Sequence, residues 1–84
     1  MEYTIDVSDV SSIEELHELM SYEMDFPDYY GGNLDALYDV VSEMTGDNGL
    51  TISFEGIPEL QRTLGNYCDR FLDVLADAGA IIKY

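Results

Sequence analysis

A glycine turn within residues 27–39 lies between the tyrosines Tyr29 and Tyr30 and the aspartates Asp35 and Asp39, and this combination could bind a cationic partner. Carboxylates make strong hydrogen bonds to Arg and Lys, and tyrosine rings supply large, rigid contact area. Asn33 is a good helix N-cap, so a helix is expected to begin directly after the glycines. The segment is therefore predicted to form a binding surface made of a loop and the helix that follows it.

Charge placement on this predicted helix supports the same interpretation. Leu37, Val41 and Met44 recur at the spacing of a buried helical stripe, which puts Asp35 and Asp39 on the opposite face. Like charges four residues apart destabilise a helix by roughly 0.2 to 0.5 kcal/mol. Local stability therefore does not explain the two aspartates, whereas a cationic partner would.

The whole chain is strongly acidic, with 18 Asp and Glu against 3 Lys and Arg and a formal net charge of −15 in 84 residues. No Lys or Arg precedes Arg62. Such a field repels nucleic acid and accelerates association with a basic protein. Solubility is the alternative explanation, because net charge alone does not identify a partner.

Length and composition predict one small domain over residues 1–84, monomeric when free, with an apolar content of 46% that is too high for a disordered acidic tail. Cys68 is a single cysteine and has no internal disulfide partner, which favours a reducing compartment. No signal peptide or membrane-spanning run is visible, so we expect a cytoplasmic protein that does not bind membranes.

Periodicity predicts short strands alternating with helices. Tyr3, Ile5 and Val7 alternate with polar residues, as in a strand with one buried face. Ser12 and Glu15 form a capping box for a first helix, whose stripe starts at Ile13 and which must end before Pro27. The later predicted elements are a helix over 34–45, a turn over 46–49, a strand over 50–54, a helical piece over 58–64, a helix with Phe71, Leu72 and Leu75 inward, and a strand over 80–84.

This order predicts an α/β fold with a small three-stranded parallel sheet and about four helices, because parallel crossovers usually contain a helix. The helices are expected to cover the sheet almost completely. Function is therefore expected on exposed loops and helix ends.

Catalytic and metal sites find little support in the sequence. His17 lies at the edge of the first helix's apolar stripe and is predicted to be structural, and Cys68 has no histidine base nearby. Asp25, Asp28 and Asp35 lack the spacing of a calcium loop, and no His and Cys cluster indicates zinc. We expect no metal, no cofactor and no enzymatic activity. A small hydrolytic or ion-binding protein that uses clustered carboxylates is the alternative class.

Residues 27–39 resemble the core segment of the barstar family, bacterial inhibitors of a secreted ribonuclease. The matching residues are Pro27, Tyr29, Tyr30, Gly31, Asn33, Leu34, Asp35, Ala36, Leu37 and Asp39. The resemblance implies a barstar-like parallel sheet and a 1:1 complex in which the second helix and its preceding loop block the active site of a basic, guanyl-specific ribonuclease. An immunity protein or antitoxin against a different basic toxin is the alternative.

The resemblance also implies individual roles. Asp39 matches the aspartate that occupies a phosphate position, and Asp35 matches the one that assists it. Tyr38 stands where the best-known members carry tryptophan. A further acidic contact from the last helix is assigned to Asp77, with Asp73 in reserve. The predicted partner-binding residues are Tyr29, Tyr30, Gly31, Asn33, Leu34, Asp35, Tyr38, Asp39, Ser42 and Asp77. For Tyr30, packing inward against the protein's own core is the alternative.

Overall fold

The computed structural model describes residues 1–46 and 49–84. In chain order, the elements are β1 (Glu2–Asp6), α1 (Ile13–Met24), α2 (Leu34–Thr45), β2 (Thr51–Glu55), α3 (Ile57–Leu64), α4 (Asn66–Asp77) and β3 (Ile81–Lys83). All strand pairs are parallel, with β2 between β1 and β3. The predicted fold class is confirmed.

Successive side chains of each strand point to opposite faces of the sheet, and one of these faces packs against the hydrophobic core. Tyr3 pairs with Ile52 and Ile5 pairs with Phe54, while Ile82 continues the row on β3. Ile5, Ile52 and Phe54 are buried, because successive residues of a strand point to opposite faces and these share the face that the helices cover.

The other face of the sheet is open to solvent. Its β1 residues Glu2, Thr4 and Asp6 are exposed, as are Ile81 and Lys83 on β3. The expectation that helices cover the sheet almost completely is therefore wrong for this face. The alternation of apolar and polar residues along β1 already indicated one buried face, and this local pattern outweighs the tendency of parallel sheets to be covered on both sides.

The first helix starts as predicted, with the Ser12 Oγ accepting a hydrogen bond from the Glu15 amide at 3.1 Å. The return contact of the capping box is shifted, since the Glu15 carboxylate accepts from the Ser11 amide at 2.9 Å. Ile13 is 43% exposed, so its assignment to the buried stripe is wrong. The buried side of α1 is formed by Leu16, His17, Met20 and Met24.

The second helix has the predicted bounds, 34–45. Leu37 and Val41 are fully buried, and Met44 is partly buried against the core. Of the turn predicted over 46–49, Asp47 and Asn48 lie outside the described residues. The strand and α3 boundaries differ from the predicted ones by one residue, which is within the usual uncertainty of strand and helix ends.

The core combines residues from the described helices and strands. Phe71 and Leu75 of α4 are fully buried, and Leu72 lies at the core margin. Cys68 is a free thiol with no exposed surface, as expected for a packed cysteine. Within the described part of the chain, no helix is long and apolar enough to cross a membrane.

Gly56 joins β2 to α3 at a point where two backbone segments meet. Its φ is 87°, in the left-handed region that favours glycine. A Cβ atom at this position would lie 2.6 Å from the Ser8 amide nitrogen and 2.7 Å from the Ser8 Cα. The connection between β1 and α1 therefore passes against Gly56 with no room for a side chain.

Gly56→Ala is expected to lower the free energy of unfolding by roughly 2 to 3 kcal/mol, because backbone strain and a clash with main-chain atoms act together. Urea denaturation measures this difference. Gly32→Ala is the control: its φ is 67°, but a Cβ added there would meet open space, so strain alone should cost about 1 kcal/mol. Equal losses in the two variants would contradict the role assigned to the Ser8 contact.

Candidate functional site

Residues 27–33, here called the tyrosine loop, connect α1 to α2 and present one ring to solvent. Tyr29 is 80% exposed. Gly31 and Gly32 are also exposed, and Gly32 has a φ of 67°. A Cβ at Gly31 would make only ordinary contacts, 3.5 Å from both the Ala36 Cβ and the Asn33 Nδ2. Internal packing does not require a glycine at position 31, and its predicted role in close approach to a partner stays a prediction.

Tyr30 has the inward position that the sequence left as an alternative. Its hydroxyl lies 2.5 Å from the His17 Nδ1, and its ring centroid is 4.8 Å from that of Phe26. Burial raises the pKa of Tyr30. The residue stays partly exposed, so Tyr30 joins the loop to the core without being fully removed from the surface.

The second helix begins at Asn33, whose Oδ1 accepts a hydrogen bond from the Ala36 amide at 2.8 Å. This N-cap fixes the direction in which the helix leaves the tyrosine loop. Leu34, a predicted partner-binding residue, is half-buried and packs against the core. Its side chain therefore serves the protein's own packing as well as bordering the loop.

One outward stripe of α2 carries four of the predicted residues, and it is here called the acidic face: Asp35, Tyr38, Asp39 and Ser42. They are spaced i, i+3, i+4 and i+7, which places them side by side on a helix. Asp35 and Asp39 are exposed, Tyr38 is 44% exposed, and Ser42 is half-buried. The Ser42 hydroxyl donates to the Tyr38 carbonyl at 2.6 Å, so its proton is already used inside the helix.

The two aspartates differ in their local electrostatics. Asp35 lies in the first turn of α2, where the positive end of the helix dipole stabilises a carboxylate. Asp39 lies in the middle of the helix, beyond that influence and four residues from Asp35. Local helix stability therefore explains Asp35 in part, whereas Asp39 has no such compensation.

Helix α4 lies beside α2 and runs in the same direction. Asn33, Leu34 and Asp35 line a shallow depression together with Tyr67 and Arg70 from the start of α4. At the other end, the Thr45 hydroxyl is 3.2 Å from the Ala78 carbonyl, just beyond α4. The starts and the ends of the two 12-residue helices are therefore at similar levels.

Because the two helices start at similar levels, the axial positions of Asp73 and Asp77 on α4 can be compared with that of Asp39 on α2. Asp39 is the sixth residue of α2, and Asp73 and Asp77 are the eighth and twelfth of α4. At a rise of about 1.5 Å per residue, Asp73 is about 3 Å and Asp77 about 9 Å beyond the level of Asp39. Both are exposed. The axial levels favour Asp73, the reserve assignment, as the neighbour of Asp39.

Sequence reasoning missed Tyr67 and Arg70. Tyr67 is half-buried, and its hydroxyl lies 2.6 Å from the His17 Nε2. The Arg70 guanidinium is 6.0 Å from the centre of the Tyr67 ring. The spacing of Tyr67 to the buried Phe71, four residues later, indicated an inward direction, but nothing local indicated its contact with α1. Across the described residues, no group of three or more His, Cys, Asp or Glu side chains could hold a metal ion.

With this geometry in place, comparison with known proteins identifies the family. The family model described as Barstar (barnase inhibitor) matches residues 1–82. The chain belongs to the barstar family. A protein of Bacillus subtilis (strain 168) named "Putative ribonuclease inhibitor YrdF" is 39% identical over 79 residues, covering 94% of this chain and 86% of that protein.

Family membership confirms the resemblance predicted from residues 27–39, and the three parallel strands agree with the fold expected from it. The family model is described as an inhibitor and the Bacillus subtilis relative is named as one, which indicates inhibition rather than catalysis. The individual partner-binding residues stay predictions, now with defined positions on the tyrosine loop, the acidic face and α4.

Asp39→Ala is expected to raise the free energy of unfolding by roughly 0.5 to 1 kcal/mol, because it removes the repulsion from Asp35 and introduces a better helix former. Thermal or urea denaturation measures the change. Asp35→Ala is the matched control; it removes the same repulsion but also loses the favourable interaction with the helix dipole, so it should change stability little. A clear loss of stability in Asp39→Ala would contradict the view that Asp39 serves a partner rather than the fold.

Proposed function

We propose that this barstar-family protein inhibits a basic, guanyl-specific ribonuclease by covering its active site with the tyrosine loop and the acidic face of α2. The observation that carries the proposal is the pairing of Asp35 and Asp39 on one exposed helix face, directly after a loop that exposes Tyr29. The family description and the name of the Bacillus subtilis relative support ribonuclease inhibition in general.

The acidic face would act by imitating the phosphates of RNA. A ribonuclease active site holds substrate phosphates with Arg, Lys and His side chains, and a carboxylate offers those cations the same sign of charge and the same type of acceptor. Asp39, on the rigid middle of α2, takes the phosphate position, and Asp35 assists it one turn earlier. These interactions strengthen when the interface excludes water.

The residues around the two aspartates would supply contact area and shape. The exposed Tyr29 ring suits stacking on a catalytic imidazole and packing against the guanine-recognition loop. The exposed backbone at Gly31 and Gly32 permits close approach of the partner's chain. Tyr30, Asn33, Leu34, Tyr38 and Ser42 border this surface. Together they form one contiguous surface on one protomer, which fits a 1:1 complex.

The net charge of −15 would speed the encounter with a basic enzyme. Attraction between oppositely charged surfaces raises the association rate and is screened by salt, because the Debye length falls to about 8 Å at physiological ionic strength. The long-range charge and the short-range contact of Asp39 are separate contributions, and a matched pair of variants can distinguish them.

Titration of several secreted, basic, guanyl-specific bacterial ribonucleases with this protein is expected to give stoichiometric inhibition of at least one enzyme. Asp39→Ala should weaken binding about a thousandfold or more, since truncating a buried charged hot spot costs roughly 4 to 8 kcal/mol. The upper end of that range was measured on barstar itself and is borrowed from the family.

Glu2→Ala is the control for this titration, because it removes the same charge from the open face of the sheet. It should reduce the association rate slightly and leave dissociation unchanged. Equal weakening by the two variants would mean that Asp39 contributes only through the net charge of the protein and not through a specific contact. Absence of inhibition of every guanyl-specific enzyme would instead favour an antitoxin against a different basic toxin.

Asp73→Ala is expected to weaken the complex more than Asp77→Ala, because Asp73 is closer to the level of Asp39. A rim contact of this kind contributes about 0.5 to 1 kcal/mol, or roughly a two- to fivefold change in Kd. Surface plasmon resonance at low salt resolves such a difference. A larger loss of affinity in Asp77→Ala would instead assign the contact to Asp77. The partner would then extend toward the C-terminal ends of both helices.

A further inference from the structure

Three side chains from separate parts of the chain meet at the base of the tyrosine loop. His17 of α1 lies between Tyr30 of the loop and Tyr67 of α4, with its Nδ1 2.5 Å from one hydroxyl and its Nε2 2.6 Å from the other. His17 is only 3% exposed. Both ring nitrogens are therefore satisfied by tyrosines, and α1, the loop and α4 are connected through one buried residue.

Both ring nitrogens of His17 depend on the two tyrosine hydroxyls for their hydrogen bonds. Burial lowers the pKa of His17, which keeps the imidazole neutral near pH 7, with one N–H donor and one acceptor nitrogen. In either tautomer, one tyrosine donates to the ring and the other accepts from it. Removing either hydroxyl therefore leaves one buried ring nitrogen without its partner.

The tyrosine loop has few other attachments. The Tyr30 amide donates to the Pro27 carbonyl at 3.0 Å, and the Tyr30 ring packs on Phe26. The next two residues are exposed glycines, which have the largest backbone freedom of any residue type. Tyr30 is thus the anchored residue between the exposed Tyr29 and the two glycines. His17 holds the Tyr30 side chain by its hydroxyl.

We propose that His17 and Tyr67 are positioning residues of the inhibitory surface: through Tyr30 they hold the tyrosine loop in its binding conformation before the partner arrives. This inference rests on the proposed function and adds His17 of α1 and Tyr67 of α4 to the residues that determine affinity. The apparent Kd of a surface rises in inverse proportion to the fraction of molecules in the competent conformation. A loop that loses its anchor must be ordered during association.

Preorganisation has a kinetic signature that direct contact does not share. Most interface substitutions act on the dissociation rate, because they remove contacts from the formed complex. Loss of a positioning residue instead slows association, since fewer encounters find the loop in its binding conformation. Dissociation changes little, because the partner holds the loop in place in the complex. His17 is too deeply buried to touch a partner, whereas the partly exposed Tyr67 could act in either way.

Tyr67→Phe is the test, because it removes the hydroxyl and retains the ring and the charge. Association with an inhibited ribonuclease is expected to slow about three- to tenfold, with the dissociation rate changed less than about twofold. Tyr30→Phe should slow association similarly, and the double variant should add little, because both substitutions act through His17. Tyr84→Phe, at an exposed C-terminal position, is the matched control and should leave both rates unchanged.

Hydrogen exchange gives a second readout that needs no partner. In free Tyr67→Phe, the Tyr30 amide should exchange at least about threefold faster relative to the Ile81 amide, which donates to the Leu50 carbonyl across the sheet at 2.8 Å. Equal acceleration of both amides would indicate general destabilisation and would overturn the inference. Faster dissociation with unchanged association would also overturn it and make Tyr67 a contact residue.

The two readouts separate this inference from the proposed function. If the parent protein inhibits no ribonuclease, the proposed function fails, and exchange at Tyr30 still decides whether Tyr67 positions the loop. If the parent inhibits but Tyr67→Phe associates at the parent rate with unchanged exchange at Tyr30, only the positioning role fails.

Discussion

The inward face of a three-stranded parallel sheet must be covered, because Ile5, Ile52 and Phe54 would otherwise meet water, and this requirement organises the rest of the molecule. Each parallel connection crosses back with a pair of helices, α1 with α2 and α4 with α3. The second helix of each connection, α2 and α4, ends up beside the other in the same direction. The outward carboxylates of both helices are therefore brought to one side of the protein by the packing of the core.

Different residues determine the shape and the charge of the candidate surface. Packing fixes the shape: Leu37 and Val41 hold α2 against the core, and Tyr30 holds the loop. The charge lies on exposed positions that the core does not constrain, and Asp39, four residues from Asp35 and beyond the first turn, is present at some expense to helix stability. Residues on this exposed surface can therefore be substituted without removing the contacts that hold the fold.

Local signals predicted most of the fold and the outward position of Asp35 and Asp39. The bounds of α2 were predicted correctly because Asn33 caps it and the apolar stripe repeats along its whole length. Long-range features were not predictable in this way. The contact between His17 and Tyr67 spans 50 residues, and neither residue's neighbours in sequence carry any sign of the other. Ile13 was assigned to the core because periodicity gives a direction but not the point at which the covering elements end.

The burial of Cys68 also provides a way to observe the protein's motions. Its thiol has no exposed surface, and burial raises its pKa, so a thiol reagent can react only when α4 opens from the core. Under conditions in which closing is faster than labelling, the reaction rate reports the free energy of that opening. The chain thus carries a single cysteine, next to Tyr67, whose labelling rate reports the stability of α4 without the need to engineer a reactive residue.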